Sequence, residues 1–173
     1  LIRERLIVED ASYEFDVGKL RKKLLLMKIQ EQISDPETAN ELSEKAFQLF
    51  FKERNKVEFF PYVLDEIEKL AQIYELGCLT NGNADIEMIG IGKFFKFNIS
   101  SKDVNANKPN KNHFQKAVEL LGISKEEILH IGDHKINDML GAISYGVKAL
   151  WFNPDKEDWD LDDIKKPSEF NSW

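Results

Sequence analysis

From residue 128 to residue 142 the chain reads ILHIGDHKINDMLGA, and this stretch restricts the possible folds more than any other. Its opening apolar run, residues 128–131, has the length and β-branched content of a buried parallel strand. Gly132 frees the backbone to turn, and Asp133 stands where the strand stops. Asp138 follows five residues later, and Met139, Leu140, Ala142 and Ile143 then recur at helical spacing. One carboxylate is therefore expected at the carboxyl end of a strand and a second at the start of the next helix. In open α/β sheets that edge is where ligands bind. Two acids held there suit a hard cation, because Mg²⁺ takes one or two carboxylates together with substrate phosphate oxygens.

The surroundings agree with a parallel sheet. From Tyr74 onward short apolar runs at 76–79, 95–99, 128–131 and 148–152 alternate with helical patterns at 85–91, 112–121 and 137–145. Such alternation reads as βαβ units, with Gly122 and Gly146 as helix stops. The earlier part is helical. Residues 1–8 can close a helix, and 19–33 places Leu20, Leu24, Met27 and Ile33 on one side. Ser34-Asp35-Pro36 opens a further helix to about Arg54, and Phe60-Pro61-Tyr62 opens one carrying Val63, Ile67, Leu70 and Ala71. The expected organisation is a helical part over residues 1–56 and an α/β core over 57–173. The tail from Asn153 is acidic and aromatic, with Trp159, Phe170 and Trp173, and reads as a surface strap held by those rings.

Composition narrows the partners. A length of 173 residues allows one domain with a real core, or a core with part of a second. With 24 basic and 31 acidic residues the net charge is −7, which argues against a nucleic-acid or anionic-membrane partner. No apolar run approaches the roughly 18 residues of a membrane span. The single cysteine, Cys78, has no internal disulfide partner and fits an inert thiol in a reducing cytoplasm. An anionic substrate must be attracted locally, by a metal, a lysine and backbone amides.

Other residues could serve that purpose. Thr80-Asn81-Gly82-Asn83 puts a hydroxyl at a strand tip before a Gly-containing turn, which reads either as an anion nest or as an ordinary Asn-Gly turn. Pro109 disfavours the helical conformation at Lys108 and holds it extended. That lysine could neutralise phosphate charge, sit against the carboxylates, or simply be solvated. His113, His130 and His134 lack metal-ligand spacing; His130 reads as a core histidine and His134 as a surface neighbour of the site.

The order of hydroxyl, lysine and Gly-Asp-x4-Asp along the chain resembles the haloacid dehalogenase-like hydrolase superfamily, in the group with a helical cap. The resemblance runs from Phe60 to Phe152, and residues 79–83 with 128–142 look like the flavin mononucleotide and riboflavin-pathway phosphatases. It implies an α/β, Rossmann-like three-layer core with a parallel sheet and a partial helical cap. It also implies a Mg²⁺-dependent phosphatase acting on a small phosphorylated metabolite through an aspartyl-phosphate. Matched residue by residue, Thr80 is the phosphate-binding hydroxyl, helped by Asn81 and Gly82, and Lys108 steadies the nucleophile and the transferring group. Asp133 matches the metal ligand, and Asp138 the acid that orients the metal shell or the lysine.

One departure stands out. The family's first strand, ending in Asp-x-Asp with the nucleophile, has no match here. The segment Glu14-Phe15-Asp16-Val17-Gly18 lacks a preceding apolar run and a second acid two residues on, so Asp16 is placed in the helical part. In the family that strand lies between those ending at Thr80 and at Asp133. The expectation is therefore a nucleophile upstream of Leu1 and two strands with unpaired backbone groups. Two alternatives are a 2-haloacid dehalogenase, which needs no metal and carries Ser-Ser-Asn where this chain has Gly132-Asp133-His134, and a truncated, non-catalytic phosphate-binding relative. A receiver-type signalling domain ranks last, having no use for the Gly-Asp-x4-Asp pattern.

Overall fold

The computed structural model describes residues 2–173. In chain order the elements are helices α1 (Ile2–Glu9), α2 (Val17–Gln30), α3 (Pro36–Arg54) and α4 (Val63–Ile73), strand β1 (Leu76–Thr80), helix α5 (Ile86–Ile89), strand β2 (Phe95–Ser100), helices α6 (Ser101–Val104) and α7 (Asn112–Leu121), strand β3 (Leu129–Gly132), helix α8 (Gly141–Tyr145) and strands β4 (Lys148–Phe152) and β5 (Ser168–Phe170). The described residues fall into two compact units, one up to Glu58 with Gly82–Lys93, the other Phe59–Asn81 with Phe94–Trp173. The sequence put 82–93 with the α/β part, whereas here they cluster with the helices. One reason is local: Asn55, at the end of α3, accepts the Asp85 N–H at 2.8 Å.

The first unit is helical. Asp35 caps α3 by accepting the Thr38 N–H at 2.9 Å, with Pro36 in the first turn, as the sequence predicts. Asp16 caps α2 in the same way, accepting from the Lys19 N–H at 2.8 Å. α2 and α3 pack together over buried Leu20, Ala39 and Phe47.

The second unit carries the strands, all parallel, in two separate sheets: β1–β2 and β3–β4–β5. In register, Thr80 pairs with Ser100 and Gly132 with Trp151, so the strand tips lie level within each sheet. Among the described residues β1 pairs with β2 only, and β3 with β4 only. The interruption falls where the family resemblance puts the unmatched strand. One helix covers both sheets: Phe114 of α7 is buried with Ala142 and Val147, and Leu79 of β1 and Ala149 of β4 pack against this cluster. β5, Ser-Glu-Phe, carries no apolar run that would mark it as a strand.

Two local details differ from the sequence expectation. The expected helix at 137–145 begins earlier, as a π-helical turn over Lys135–Leu140 that passes into α8. His134 caps that turn, its ring Nδ1 accepting the N–H groups of Ile136 and Asn137 at 3.1 Å. Gly132 is not in the left-handed region; it is needed for space, because a Cβ there would lie 2.5 Å from Cγ of Asp138. Among the described residues no helix is long and apolar enough to cross a membrane.

Candidate active site

The candidate residues gather at the carboxyl ends of β1 and β3. Lys108 sits in the loop between α6 and α7, joined to Pro109 by a cis peptide bond. The solvated-lysine alternative fails, since its side chain is only 7% exposed. Its Nζ donates to Leu79 O at 2.8 Å and to Oδ1 of Asp138 at 2.6 Å. Its backbone is held by Asn81, whose Oδ1 accepts the Lys108 N–H at 2.7 Å and whose Nδ2 donates to Lys108 O at 2.9 Å. The side chain of Asn81 thus fastens the lysine loop to the tip of β1, a role the sequence did not disclose.

Asp138, also buried, is surrounded by donors. Its Oδ1 faces both Lys108 and Nε2 of His130, the latter at 3.1 Å, and its Oδ2 accepts the His134 N–H at 3.1 Å. Burial pushes its carboxyl toward the neutral form, but the His130 hydrogen bond and the Lys108 ammonium outweigh that and hold it well below the usual carboxylate range. Of the two roles the resemblance implies for Asp138, orienting the lysine is the one these contacts serve. His130 had a signal: alternation along β3 puts it on the same face as Gly132, the face Asp138 covers.

Thr80 ends β1, half-buried. Its carbonyl lies 3.2 Å from Nε2 of His113, and since a carbonyl only accepts, the His113 proton sits on Nε2. His113 is fully buried in α7, and burial lowers its pKa and keeps the ring neutral. Beyond Asn81 the chain passes into the first unit, so Gly82 belongs there by its contacts.

Asp133 differs from Asp138. It is exposed, and its carboxylate accepts no hydrogen bond from the described residues; its main-chain oxygen accepts the indole N–H of Trp151 at 2.8 Å. Asp138 packs against Gly132, the residue that precedes Asp133. Among the described residues no three His, Cys, Asp or Glu side chains form a metal cage. Mg²⁺ asks for less: one or two carboxylates, with water and substrate phosphate completing six oxygens. A free, hard oxygen donor at Asp133 beside a second, already neutralised acid fits that requirement. The structure therefore brings together the tip of β1, Lys108, His130 and Asp138, and leaves Asp133 as the unengaged carboxylate at the same strand edge.

Known proteins resemble this chain. A family model of haloacid dehalogenase-like hydrolases covers residues 10–152. The 5-amino-6-(5-phospho-D-ribitylamino)uracil phosphatase YigB of Escherichia coli (strain K12) is 31% identical over 92% of this chain and 70% of its own length. A phosphoserine phosphatase of Thermus thermophilus is 29% identical over 78% of this chain, which spans 55% of that relative. Among solved structures, a 2-haloacid dehalogenase from Pseudomonas syringae pv. tomato DC3000 superposes with a TM-score of 0.92 at 32% identity, over 99% of this chain and 74% of its own.

Proposed function

Because this chain belongs to the haloacid dehalogenase-like hydrolase family, we propose that it serves a Mg²⁺-dependent phosphatase of the cytoplasm that acts on a small phosphorylated metabolite. The observation that supports this most is the buried Lys108, tied to Asp138 and Leu79 O, with Asp133 exposed at the end of β3. Phosphoryl transfer depends mainly on positioning and on neutralising the equatorial oxygens, and these residues suit that work. The Thr80 hydroxyl and the backbone N–H of Asn81 bind phosphoryl oxygens. Lys108, aimed by Asp138, offsets their negative charge. Asp133 holds the cation, and the cation when bound supplies further charge neutralisation at the phosphoryl group. The reading needs an attacking aspartate, which the family resemblance puts on a strand between those ending at Thr80 and at Asp133. Its carboxylate displaces the alcohol of the phosphomonoester from phosphorus to give an aspartyl-phosphate, the alcohol leaving with a proton, and water then cleaves this to phosphate and the free carboxylate.

The test is phosphate release by the natural full-length protein from a panel of phosphomonoesters. The ribityl phosphate named for the Escherichia coli relative comes first. Release should require Mg²⁺, stop with EDTA and be lost in Asp133→Ala; release indifferent to both ends the proposal. The Pseudomonas structure favours a second reading, hydrolytic dehalogenation. That chemistry needs no divalent cation and has no use for an unengaged acid at position 133, so metal-independent chloride release from chloroacetate would establish it instead.

A further inference from the structure

The acidic tail after β4 does more than cover surface. Asn153, buried, is its fastening: Oδ1 accepts the Glu157 N–H at 2.8 Å, Nδ2 donates to Glu157 O at 3.0 Å and to Glu169 Oε2 at 2.8 Å, and its own N–H donates to Phe170 O at 2.8 Å. Between these ties the chain wraps Trp159, whose indole N–H faces Leu161 O and Ile164 O. Trp159 in turn sets its edge against Trp151, with ring centroids 5.5 Å apart. Trp151 is 1% exposed and donates its only side-chain polar hydrogen to Asp133 O at 2.8 Å. A second line runs through Lys135, two residues beyond Asp133. Its Nζ reaches Asp158 O at 2.9 Å and the carboxylates of Glu157 and Asp160 at 3.1 Å. The loop that presents Asp133 is thus held by an indole and, through Lys135, by the tail.

We propose that Trp151 and the strap 153–170 position Asp133, so that divalent-cation affinity depends on a tail that touches neither cation nor substrate. Trp151 and Lys135 are positioning residues. A carboxylate on a loop loses freedom when it binds a cation, and a loop already fixed loses less. The inference rests on the phosphatase reading only for the identity of the cation site.

The experiment measures Mn²⁺ dissociation by electron paramagnetic resonance on the full-length protein, alongside Mg²⁺ half-saturation, substrate KM and thermal midpoint. Trp151→Phe keeps most of the ring and deletes the N–H donor; it should weaken Mn²⁺ binding and raise the Mg²⁺ requirement by about threefold to tenfold, the worth of one hydrogen bond. Substrate KM at saturating Mg²⁺ should stay at the wild-type value. The core-sparing pair Glu157→Gln/Asp160→Asn should shift the same quantities by a smaller factor, and high salt in the wild type should reproduce that shift. Wild-type cation affinity in both test variants overturns the proposal, and so does a thermal midpoint that falls while affinity does not. Asp133→Asn separates the two ideas. Loss of Mn²⁺ binding there with no phosphatase activity in the wild type leaves the positioning role standing and removes the phosphatase reading. Intact Mn²⁺ binding in Asp133→Asn, or none in the wild type, removes both.

Discussion

Replacing Asp138 by Asn probes the arrangement at its densest point. At an effective dielectric of about 20, unit charges 2.6 Å apart attract by about 6 kcal/mol. Desolvation of the two buried groups takes back part of this, and breaking a buried pair from one side costs about 3–5 kcal/mol, since the partner remains as an unpaired charge. Asparagine also turns an acceptor into a donor, so either the His134 N–H or the Lys108–His130 pair loses its acceptor. Asp138→Asn should therefore lower unfolding stability at pH 7 by about 3–5 kcal/mol in urea titrations. The pH dependence has a defined sign. The native carboxyl is held below the ordinary value of 3.8, so its contribution is complete above that pH and is lost as pH falls toward the depressed native value. The gap between wild type and variant should narrow on acidification below about pH 4. Adding Lys108→Met to Asp138→Asn should recover stability relative to Asp138→Asn alone, because no buried charge is then left unpaired. A loss at pH 7 below about 1 kcal/mol, as for a surface pair, or a gap constant with pH, would refute the reasoning.

Further outcomes follow from single contacts. Asn81→Ala removes both hydrogen bonds that hold the Lys108 backbone and leaves them unsatisfied, so stability should fall by about 1–3 kcal/mol. Phosphate release should fall in kcat more than in KM, measured by steady-state kinetics. Gly132→Ala should cost about 1–3 kcal/mol in thermal or urea unfolding, because its methyl group would occupy the position of the Asp138 side chain. Gly146→Ala should also destabilise, for a different reason: its φ of 94° is a left-handed one that a β-carbon resists. Comparing their effects on phosphate release separates a site glycine from a helix stop.

Much of the fold lies open in local sequence because local chemistry sets it. Asp35-Pro36 starts α3, Gly122 and Gly146 end α7 and α8, and short apolar runs mark β1 to β4. Even the interruption between β1 and β3 is visible, once the chain is compared with a family whose central strand it does not match. The unreadable parts depend on distant partners. Nothing near Asn81 announces that its side chain will chelate a backbone 27 residues away. Trp151 looks like one more apolar strand residue until its N–H meets Asp133 O. Residues 82–93 follow a strand and resemble a crossover, yet their contacts are with the helical unit. Gly132 is right in identity and wrong in reason, since a neighbouring side chain and not a backbone turn requires it.

An anomalous-difference map from crystals of the full-length protein soaked in Mn²⁺ and a phosphate mimic tests the central claim most directly. The account predicts a manganese peak about 2.1 Å from a carboxylate oxygen of Asp133, with six oxygen ligands, and the mimic bound between Thr80 and Lys108. Manganese elsewhere in the molecule, with Asp133 left unliganded, would contradict it.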